Sequence, residues 1–331
     1  MANIKPFIAV VSLLCFAVAA GAGDGYLISV DGAVHSEEGT LKTLGEFEYA
    51  YVSPGGAYYV VLSFVEGAFP IKSTARIYDK TGRLSYAVPN TGASAAVVAD
   101  NGACVLVTMS ADGPEATADL DFYDSSGVNV GSAAVGYPGD AMFSPSADYA
   151  AVISAGEATY VFDADDGDLL YELPASRTLA ADDNGSVLLV DPEFIALYRD
   201  GFAEWSFGHD LYYPRMAQVN EGNTAALVGC HHEVALVDME SGRITETWEA
   251  PDGFAVTDID ASDDFSIIGV GVRSLDGVEA AYLLDDSFGV LKSKTETVAK
   301  PSGAMPIVIV VDGVTPEATV FGQGWRATLE K

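Results

Sequence analysis

Residues 123–127 read YDSSG and end a short apolar run with an acidic turn that contains glycine. Residues 78–82, which read YDKTG, do the same one repeat earlier. Five further copies complete the set: VDG at 30–32, FDADDG at 162–167, YRDG at 198–201, VDMESG at 237–242 and LDDSFG at 284–289. Successive glycines of this set are 34 to 50 residues apart. A period of about 40 residues indicates a repeat protein in which each unit is one supersecondary structure.

A second polar turn lies between the copies of the first and precedes a run of β-branched or aromatic residues, as at 58–62. The copies are SPGG at 53–56, ADNG at 99–102, SPSAD at 144–148, DDNG at 182–185, NEGN at 220–223, SDD at 262–264 and DG at 312–313. Asn-Gly and Asp-Gly between such runs are typical of β-hairpins. Each unit therefore reads as four strands, A to D. Seven copies of each turn predict an all-β fold, a seven-bladed β-propeller of four-stranded antiparallel blades.

The two ends of the chain are expected to close the ring together. The turn at 31–32 comes before the first full unit, and the turn at 312–313 has no full unit after it. We therefore expect the N-terminal strand or strands at 26–36 to join the C-terminal blade begun by 305–321, since a shared blade removes open sheet edges. Whether residues 325–329 add a third strand to that blade is left open.

Aromatic residues recur at one position of the repeat. Tyr86, Tyr171 and Trp205 each stand four residues after a turn glycine, and Trp248 stands two residues further along its strand. We interpret them as residues that pack one blade on the next. Together with the Ser-Pro-Gly and aromatic-Asp-x-x-Gly turns, they make residues 26–329 resemble the WD40-like and quinoprotein-like seven-bladed propellers, although the Trp-Asp dipeptide of standard WD40 repeats is absent from the sequence. The resemblance implies a fold and no particular function.

The N-terminal segment differs from the rest of the chain. Lys5 precedes an apolar run over residues 6–20, and small-x-small triplets occur at 17–19 and 20–22. This pattern predicts a secretory signal peptide over residues 1–22, followed by a single propeller domain over 23–331. An uncleaved membrane anchor is the alternative, and the run is short for a bilayer span of roughly 20 residues. We expect a secreted or cell-surface protein with no transmembrane segment in the mature chain.

The formal charge of −32 arises from 48 acidic and 16 basic residues. Nucleic acids and anionic membranes are disfavoured as partners because phosphate contacts need a basic surface. Such a charge is typical of halophilic proteins, which work where salt screens the repulsion between like charges. An ordinary acidic secreted protein has the same composition, so both interpretations stay open.

Four residues of one connection form the first half of a predicted ligand face. His209, Tyr212, Tyr213 and Arg215 precede the fifth of the predicted full units. The second half, His231 and His232, lies in the B–C turn of that unit, and such turns open on the same end of a propeller as the connections between blades. Tyr, His and Arg combine apolar area with a polar tip. We therefore predict that this face recognises an extracellular protein or a glycan.

Two metal sites are weaker hypotheses. His209, Cys230, His231 and His232 have the ligand chemistry of a zinc or copper site. Residues 163–168, which read DADDGD, resemble a calcium loop, although their glycine is the fifth residue rather than the sixth. Solvated turn side chains are the alternative at both places, and our main expectation is a protein without a cofactor. Cys104 and Cys230 fall in distant repeats, which predicts two free thiols.

The sequence contains no Walker loop, Gly-x-Ser-x-Gly elbow or His-Glu-x-x-His motif. We therefore favour an exported non-enzymatic module that binds a protein or glycan, or acts as a scaffold, at the cell surface. Two alternatives remain. The protein could be an extracellular enzyme, a lyase or glycoside hydrolase with carboxylates in the central channel, or a structural component of the cell envelope.

Overall fold

The computed structural model describes residues 27–331 apart from 31, 37–38, 69, 111–116, 145–147, 155–157, 221, 299–306, 312–316 and 323–324. Regular structure in this part consists of β-strands. Within the same residues, no helix has the length and apolar character that a bilayer span requires. The predicted signal peptide at 1–22 lies outside the described residues and stays a prediction.

The strands form eight antiparallel sheets in chain order, which we number as blades 1 to 8. The first four are blade 1 (β1 Leu27–Val30, β2 Ala33–Ser36, β3 Gly39–Thr43), blade 2 (β4 Glu48–Val52, β5 Tyr58–Phe64, β6 Ser73–Asp79, β7 Leu84–Thr91), blade 3 (β8 Ala95–Val98, β9 Cys104–Ser110, β10 Thr117–Tyr123, β11 Asn129–Gly136) and blade 4 (β12 Pro138–Phe143, β13 Tyr149–Ser154, β14 Ala158–Asp163, β15 Leu169–Pro174). The others are blade 5 (β16 Thr178–Ala181, β17 Ser186–Val190, β18 Ile195–Arg199, β19 Phe202–Phe207), blade 6 (β20 Met216–Val219, β21 Ala225–Gly229, β22 Glu233–Asp238, β23 Arg243–Glu249), blade 7 (β24 Phe254–Ala261, β25 Ile267–Ser274, β26 Val278–Asp285, β27 Val290–Thr297) and blade 8 (β28 Val308–Val311, β29 Glu317–Gly322, β30 Trp325–Glu330).

Burial follows the position of each strand in its blade. Inner strands such as β8, β16 and β28 are buried along their whole length, whereas the outer strand β27 is exposed at most positions. Inner strands of neighbouring blades also contact each other, as β24 does β28. The apolar core therefore lies between blades and around the ring axis, as a closed propeller requires.

The acidic turns owe their sequence to local hydrogen bonding. At the outer turn of blade 3, Asp124 Oδ1 accepts hydrogen bonds from Ser126 N at 2.9 Å, Ser126 Oγ at 2.7 Å and Val128 N at 2.9 Å. The Ser126 hydroxyl and the Val128 amide thereby lower the pKa of the Asp124 carboxyl. Asp side chains that satisfy turn amides in this way explain why acidic residues recur there.

The predicted number of blades is wrong, because the described residues form eight sheets rather than seven. The N-terminal strands do not join the C-terminal blade. They pair instead with Gly39–Thr43 as a three-stranded sheet of their own. Trp325–Glu330 is the third strand of the last sheet. The prediction of four-stranded antiparallel blades holds for blades 2 to 7.

The ring is closed by packing between the first and last blades. Ile28 on β1 lies in one buried cluster with Val308 and Val310 on β28 and Phe321 on β29. The His35 ring also lies 6.0 Å from the Phe321 ring, centroid to centroid. Side-chain burial, rather than a shared strand, therefore joins the two ends of the chain.

Aromatic side chains lock neighbouring blades together. A Cβ added to Gly127 would lie 2.5 Å from the Tyr86 ring, one on Gly201 would lie 3.1 Å from Tyr171, and one on Gly242 would lie 2.7 Å from Trp205. The Trp205 ring also donates from Nε1 to the Met239 carbonyl at 2.8 Å. The aromatic of one blade thus covers the turn glycine of the next, as the sequence predicts.

Blades 7 and 8 are joined by buried carboxyl groups. Asp258 Oδ2 accepts from the Ile309 amide at 2.9 Å, and Asp260 Oδ2 accepts from the Val311 amide at 2.8 Å. Both aspartates are almost completely buried. Desolvation raises the pKa of each carboxyl well above 3.8 although backbone amides bind them. These side chains satisfy the inner edge of β28, which otherwise has no partner strand on that side.

The packing of aromatics on turn glycines predicts a graded response to added methyl groups. Gly67 has φ +69° and open space around its Cβ position, so Gly67→Ala tests the backbone conformation alone. That variant should lose about 1 kcal/mol of unfolding free energy. Gly242 has φ +66° and the Trp205 ring above it, so Gly242→Ala should lose roughly a further 1–3 kcal/mol from overpacking. Chemical denaturation measures both, and equal losses would show that the ring contact is unimportant.

Asp260 predicts a stability that falls with rising pH. Because its folded pKa is raised, the folded state keeps a proton that the unfolded state loses near 3.8. Its contribution is therefore fully present below that pH and is lost as pH rises toward the folded pKa. Asp260→Asn keeps an acceptor for Val311 without a charge and should weaken this decline.

The matched variant Asp260→Ala removes the charge and also the acceptor. It should be less stable than Asp260→Asn by about 1–3 kcal/mol, because the Val311 amide is left unsatisfied. Denaturation of the three proteins across pH measures both effects. A decline as steep in Asp260→Asn as in the wild type, or equal stability of the Asn and Ala variants, would contradict this account.

Candidate functional site

The structure brings five of the predicted ligand-face residues together at one end of the ring. With the N-terminal sheet counted, the blade concerned is the sixth of eight. The β19–β20 connection carries Tyr212, Tyr213 and Arg215, and the β21–β22 turn carries His231 and His232. The His231 amide donates to the Tyr212 carbonyl at 3.2 Å, so the two segments are joined by the backbone.

Four of these side chains form a cluster of rings. The Tyr212 and His232 rings are stacked with an interplanar angle of 8° and centroids 6.3 Å apart. The His231 and His232 centroids are 4.1 Å apart, and Tyr213 meets His231 edge to face at 6.4 Å. The exposed fraction is 64% for Tyr212 and 43% for Tyr213. Large rings are thus ordered by one another and still face solvent.

Sequence reasoning missed Arg177, which belongs to the same site. Its guanidinium carbon lies 3.6 Å from the centroid of the Tyr213 ring. Arg177 immediately precedes the inner strand of blade 5, as Arg215 precedes that of blade 6. Both donate a backbone hydrogen bond to the end of the next strand, Arg177 to Val190 and Arg215 to Gly229. This equivalence between neighbouring repeats is the signal that could have identified it. We call Arg177, Tyr212, Tyr213, Arg215, His231 and His232 the rim cluster.

Arg215 is anchored beneath the rings. Its Nη2 donates to the Val256 carbonyl at 2.7 Å and lies 3.4 Å from His231 Nδ1. Because a guanidinium can only donate, Nδ1 of His231 is the acceptor and Nε2 bears the proton of the neutral ring. Arg215 Nε is buried and has no hydrogen-bond partner among the residues that the structure describes. Desolvation lowers the pKa of Arg215, and the nearby Arg177 acts in the same direction.

The two histidines have different roles. His232 Nδ1 lies 2.9 Å from the Phe254 carbonyl, so Nδ1 donates and Nε2 stays open. Burial, followed by the positive potential of His232 and Arg215, lowers the pKa of His231 below 6.5. His231 is therefore uncharged at neutral pH and gains a charge only in acid.

The backbone of Tyr213 is strained. Its φ is +60°, and Pro214 follows it. Positive φ is unfavourable for a large side chain, and a following proline further restricts the residue before it. Backbone strain of this kind is concentrated at functional sites, because surrounding contacts must hold it in place. Here the Arg177 stack and the edge contact with His231 hold the ring.

His209 lies apart from the rim cluster. Its Nδ1 accepts from the Leu211 amide at 3.0 Å, so Nε2 donates to the Asp191 carbonyl at 2.8 Å. Both ring nitrogens are used to hold the connection against the β17–β18 turn. His209 also lines an open groove of about 630 Å³ between blades 5 and 6, together with Trp205 and Glu233.

The predicted metal ligands do not form a coordination group. Cys230 is fully buried, and burial raises the pKa of its thiol to about 12. Both ring nitrogens of His209 already form hydrogen bonds within the protein. In the 163–168 turn, the side chains of Asp163 and Asp166 bind backbone amides of the same turn. Among the described residues, no group of three or more His, Cys, Asp or Glu side chains is arranged to hold a metal ion. Cys104 and Cys230 are free thiols.

The inner strand of blade 7 carries two buried acids, which bear on the alternative of an enzyme with channel carboxylates. Asp258 and Asp260 are on β24, and both are bound to backbone amides of β28. Their burial also withholds them from a substrate. The geometry of this pair is that of structural acceptors rather than of an acid and a nucleophile.

Known structures resemble this fold. The chain is similar to Hsv2 of Kluyvelomyces marxianus, with 12% identity, a TM-score of 0.58, and coverage of 82% of this chain and 87% of that one. It is also similar to the β-propeller domain of Cps50 (Swd1) of Myceliophteria thermophila, with 9% identity, a TM-score of 0.59, and coverage of 87% and 98%. For the C-terminal WD40 domain of Sif2 the values are 12%, 0.59, 89% and 85%.

These similarities confirm the predicted WD40-like β-propeller fold. At such identities they establish the fold alone. No protein-family model matches the sequence, and no curated protein does.

Proposed function

We propose that this protein is an exported β-propeller that binds another protein at the cell surface through its rim cluster. The observation that carries this proposal is the pair of exposed tyrosines, held in place by histidine rings and by Arg177. Tyr and Arg are enriched among residues that dominate binding energy, and ordered side chains lose little entropy when a partner docks.

The surroundings of the cluster support a binding role. Three segments converge there, the β15–β16 connection, the β19–β20 connection and the β21–β22 turn, and β-propellers commonly vary such loops on a constant ring. The backbone between them is tied by the His231–Tyr212 hydrogen bond and by a second from the Val256 amide to the His231 carbonyl at 2.9 Å. A preformed surface of this kind favours binding of a folded protein, because the loops need not change their shape when the partner docks.

Removing one exposed ring should weaken binding without unfolding the protein. Tyr212→Ala should reduce affinity for the partner about tenfold or more, as expected for a binding hot spot. Phe202→Ala is the matched control, because Phe202 is 78% exposed and lies at the opposite end of β19. Both variants should melt close to the wild-type temperature.

The measurement is capture of extracellular proteins by immobilised wild type and variants, followed by titration of the captured partner. Equal loss in both variants, or full binding by a folded Tyr212→Ala protein, would place the site elsewhere. Capture of a glycan without any protein would show that the partner is a glycan rather than a protein, with the rim cluster still as the binding site.

Export is the second part of the proposal, and the apolar N-terminal segment supports it. If signal peptidase cuts after a small-x-small triplet, the mature chain should begin near Ala20 or Gly23. N-terminal sequencing of protein from the extracellular fraction measures this. An extracellular chain that begins at Met1 would contradict cleavage.

A further inference from the structure

Two arginines of the rim cluster form no ion pair with a carboxylate of the described residues, although the chain is strongly acidic. Acidic residues number 48 against 16 lysines and arginines. Ion pairs of the described residues include Lys42 with Glu48, Arg199 with Glu204, Arg273 with Glu279 and Lys294 with Glu296. Arg177 and Arg215 form none of them. They are held instead by a tyrosine face and a backbone carbonyl.

Two guanidinium groups contact adjoining rings at this place. Arg177 lies 3.6 Å from the Tyr213 centroid, Arg215 Nη2 lies 3.4 Å from His231 Nδ1, and the Tyr213 and His231 rings meet edge to face at 6.4 Å. The acid of the same turn, Glu233, is occupied as the acceptor of the Tyr212 amide at 3.0 Å. That bond leaves Glu233 charged, but the two arginines outnumber it, so the site has a local positive charge inside a negative protein and attracts an anion.

We infer that the rim cluster binds a carboxylate group of its protein partner, an inference that rests on the proposed function. Arg177 presents its guanidinium beside the Tyr213 ring, and the His231 ring offers Nε2–H. Guanidinium groups bind carboxylates through paired, charge-assisted hydrogen bonds. A carboxylate carried by a side chain or a C-terminus supplies the missing counter-charge.

The charge of the whole chain decides which kind of anion fits. At −32, the protein repels nucleic acids, polyphosphates and anionic membranes at long range. A partner of neutral or basic overall charge is not repelled, and a single carboxylate on it can reach the local positive site. The inference therefore specifies a protein that is neutral or basic overall and presents one carboxylate beside an apolar contact for Tyr212.

Acid should strengthen this binding. The charged or titratable groups that face His231 are Arg215, Tyr212 and Tyr213 from the β19–β20 connection and His232 from its own turn. One contact further away, Arg177 stacks on Tyr213 and Glu233 accepts from the Tyr212 amide. A bound carboxylate favours protonated His231, because it offsets the positive neighbours. Affinity should then rise as pH falls through the lowered pKa of His231.

The test uses N-acetylglycine, which carries a single carboxylate, with N-acetylglycinamide and inorganic phosphate as comparison probes. Each is titrated into the full-length protein while NMR follows the imidazole resonances and the Arg177 Nε–H. Saturable binding of N-acetylglycine that is absent with the amide is expected. Arg177→Gln should weaken it about tenfold, Arg177→Lys should retain part of it, and Arg83→Gln, at an exposed turn of blade 2, should change nothing.

Several outcomes would overturn the inference. These are the absence of saturable binding, phosphate that binds as tightly as N-acetylglycine, an unchanged affinity in Arg177→Gln, or no gain between about pH 7.5 and about pH 5.5. The partner titration separates the two proposals. Loss of partner binding in Tyr212→Ala but not in Arg177→Gln would retain the proposed function and reject the carboxylate. Full partner binding by both variants would reject both.

Discussion

The contact on which the ring depends is an aromatic side chain lying on the turn glycine of the next blade. At Gly127, Gly201 and Gly242 the backbone has φ between +66° and +84°, and a ring from the preceding blade occupies the place of a side chain. Glycine is required there twice, for its conformation and for its lack of a Cβ. Repetition of this contact fixes the outer strands of neighbouring blades, so the inner strands are free to bury apolar side chains around the axis.

Where the repeat ends, other interactions replace that contact. Blade 8 meets blade 7 through Asp258 and Asp260, and through Trp325, whose ring donates to Glu279 Oε2 at 2.7 Å. Blade 1 meets blade 8 through the cluster around Ile28. Buried carboxyls are costly to desolvate, and they are retained here as acceptors for amides that no strand pairs with. The interface between blades 7 and 8 therefore uses polar groups where the interfaces at Gly127, Gly201 and Gly242 use rings.

A rigid ring also allows strain and unbalanced charge to persist at the rim. Tyr213 keeps a positive φ before a proline, and Arg215 stays half-buried near a second arginine, Arg177. Neither arrangement is stable in an isolated loop. Each persists because the β19–β20 connection is tied at both ends, by His209 to blade 5 and by Arg215 to blade 7. The surrounding blades thus stabilise the strained backbone and the half-buried charge of the proposed binding site.

The sequence by itself determined the strand-turn repeat, the aromatic packing and the convergence of Tyr212, Tyr213, Arg215, His231 and His232. These follow from local chemistry, because turn residues and alternating apolar runs act over a few neighbours, and because turns of one class open on one end of a ring. Only the tertiary structure decided the number of blades. Two three-stranded sheets at the chain ends contain the same number of turn motifs as one blade that is shared between the ends. The tertiary structure also decided that Arg177 stacks on Tyr213, that His209 and Cys230 are withheld from the site, and which ring nitrogens are open. Those facts depend on contacts between blades, for which spacing along the chain carries no information.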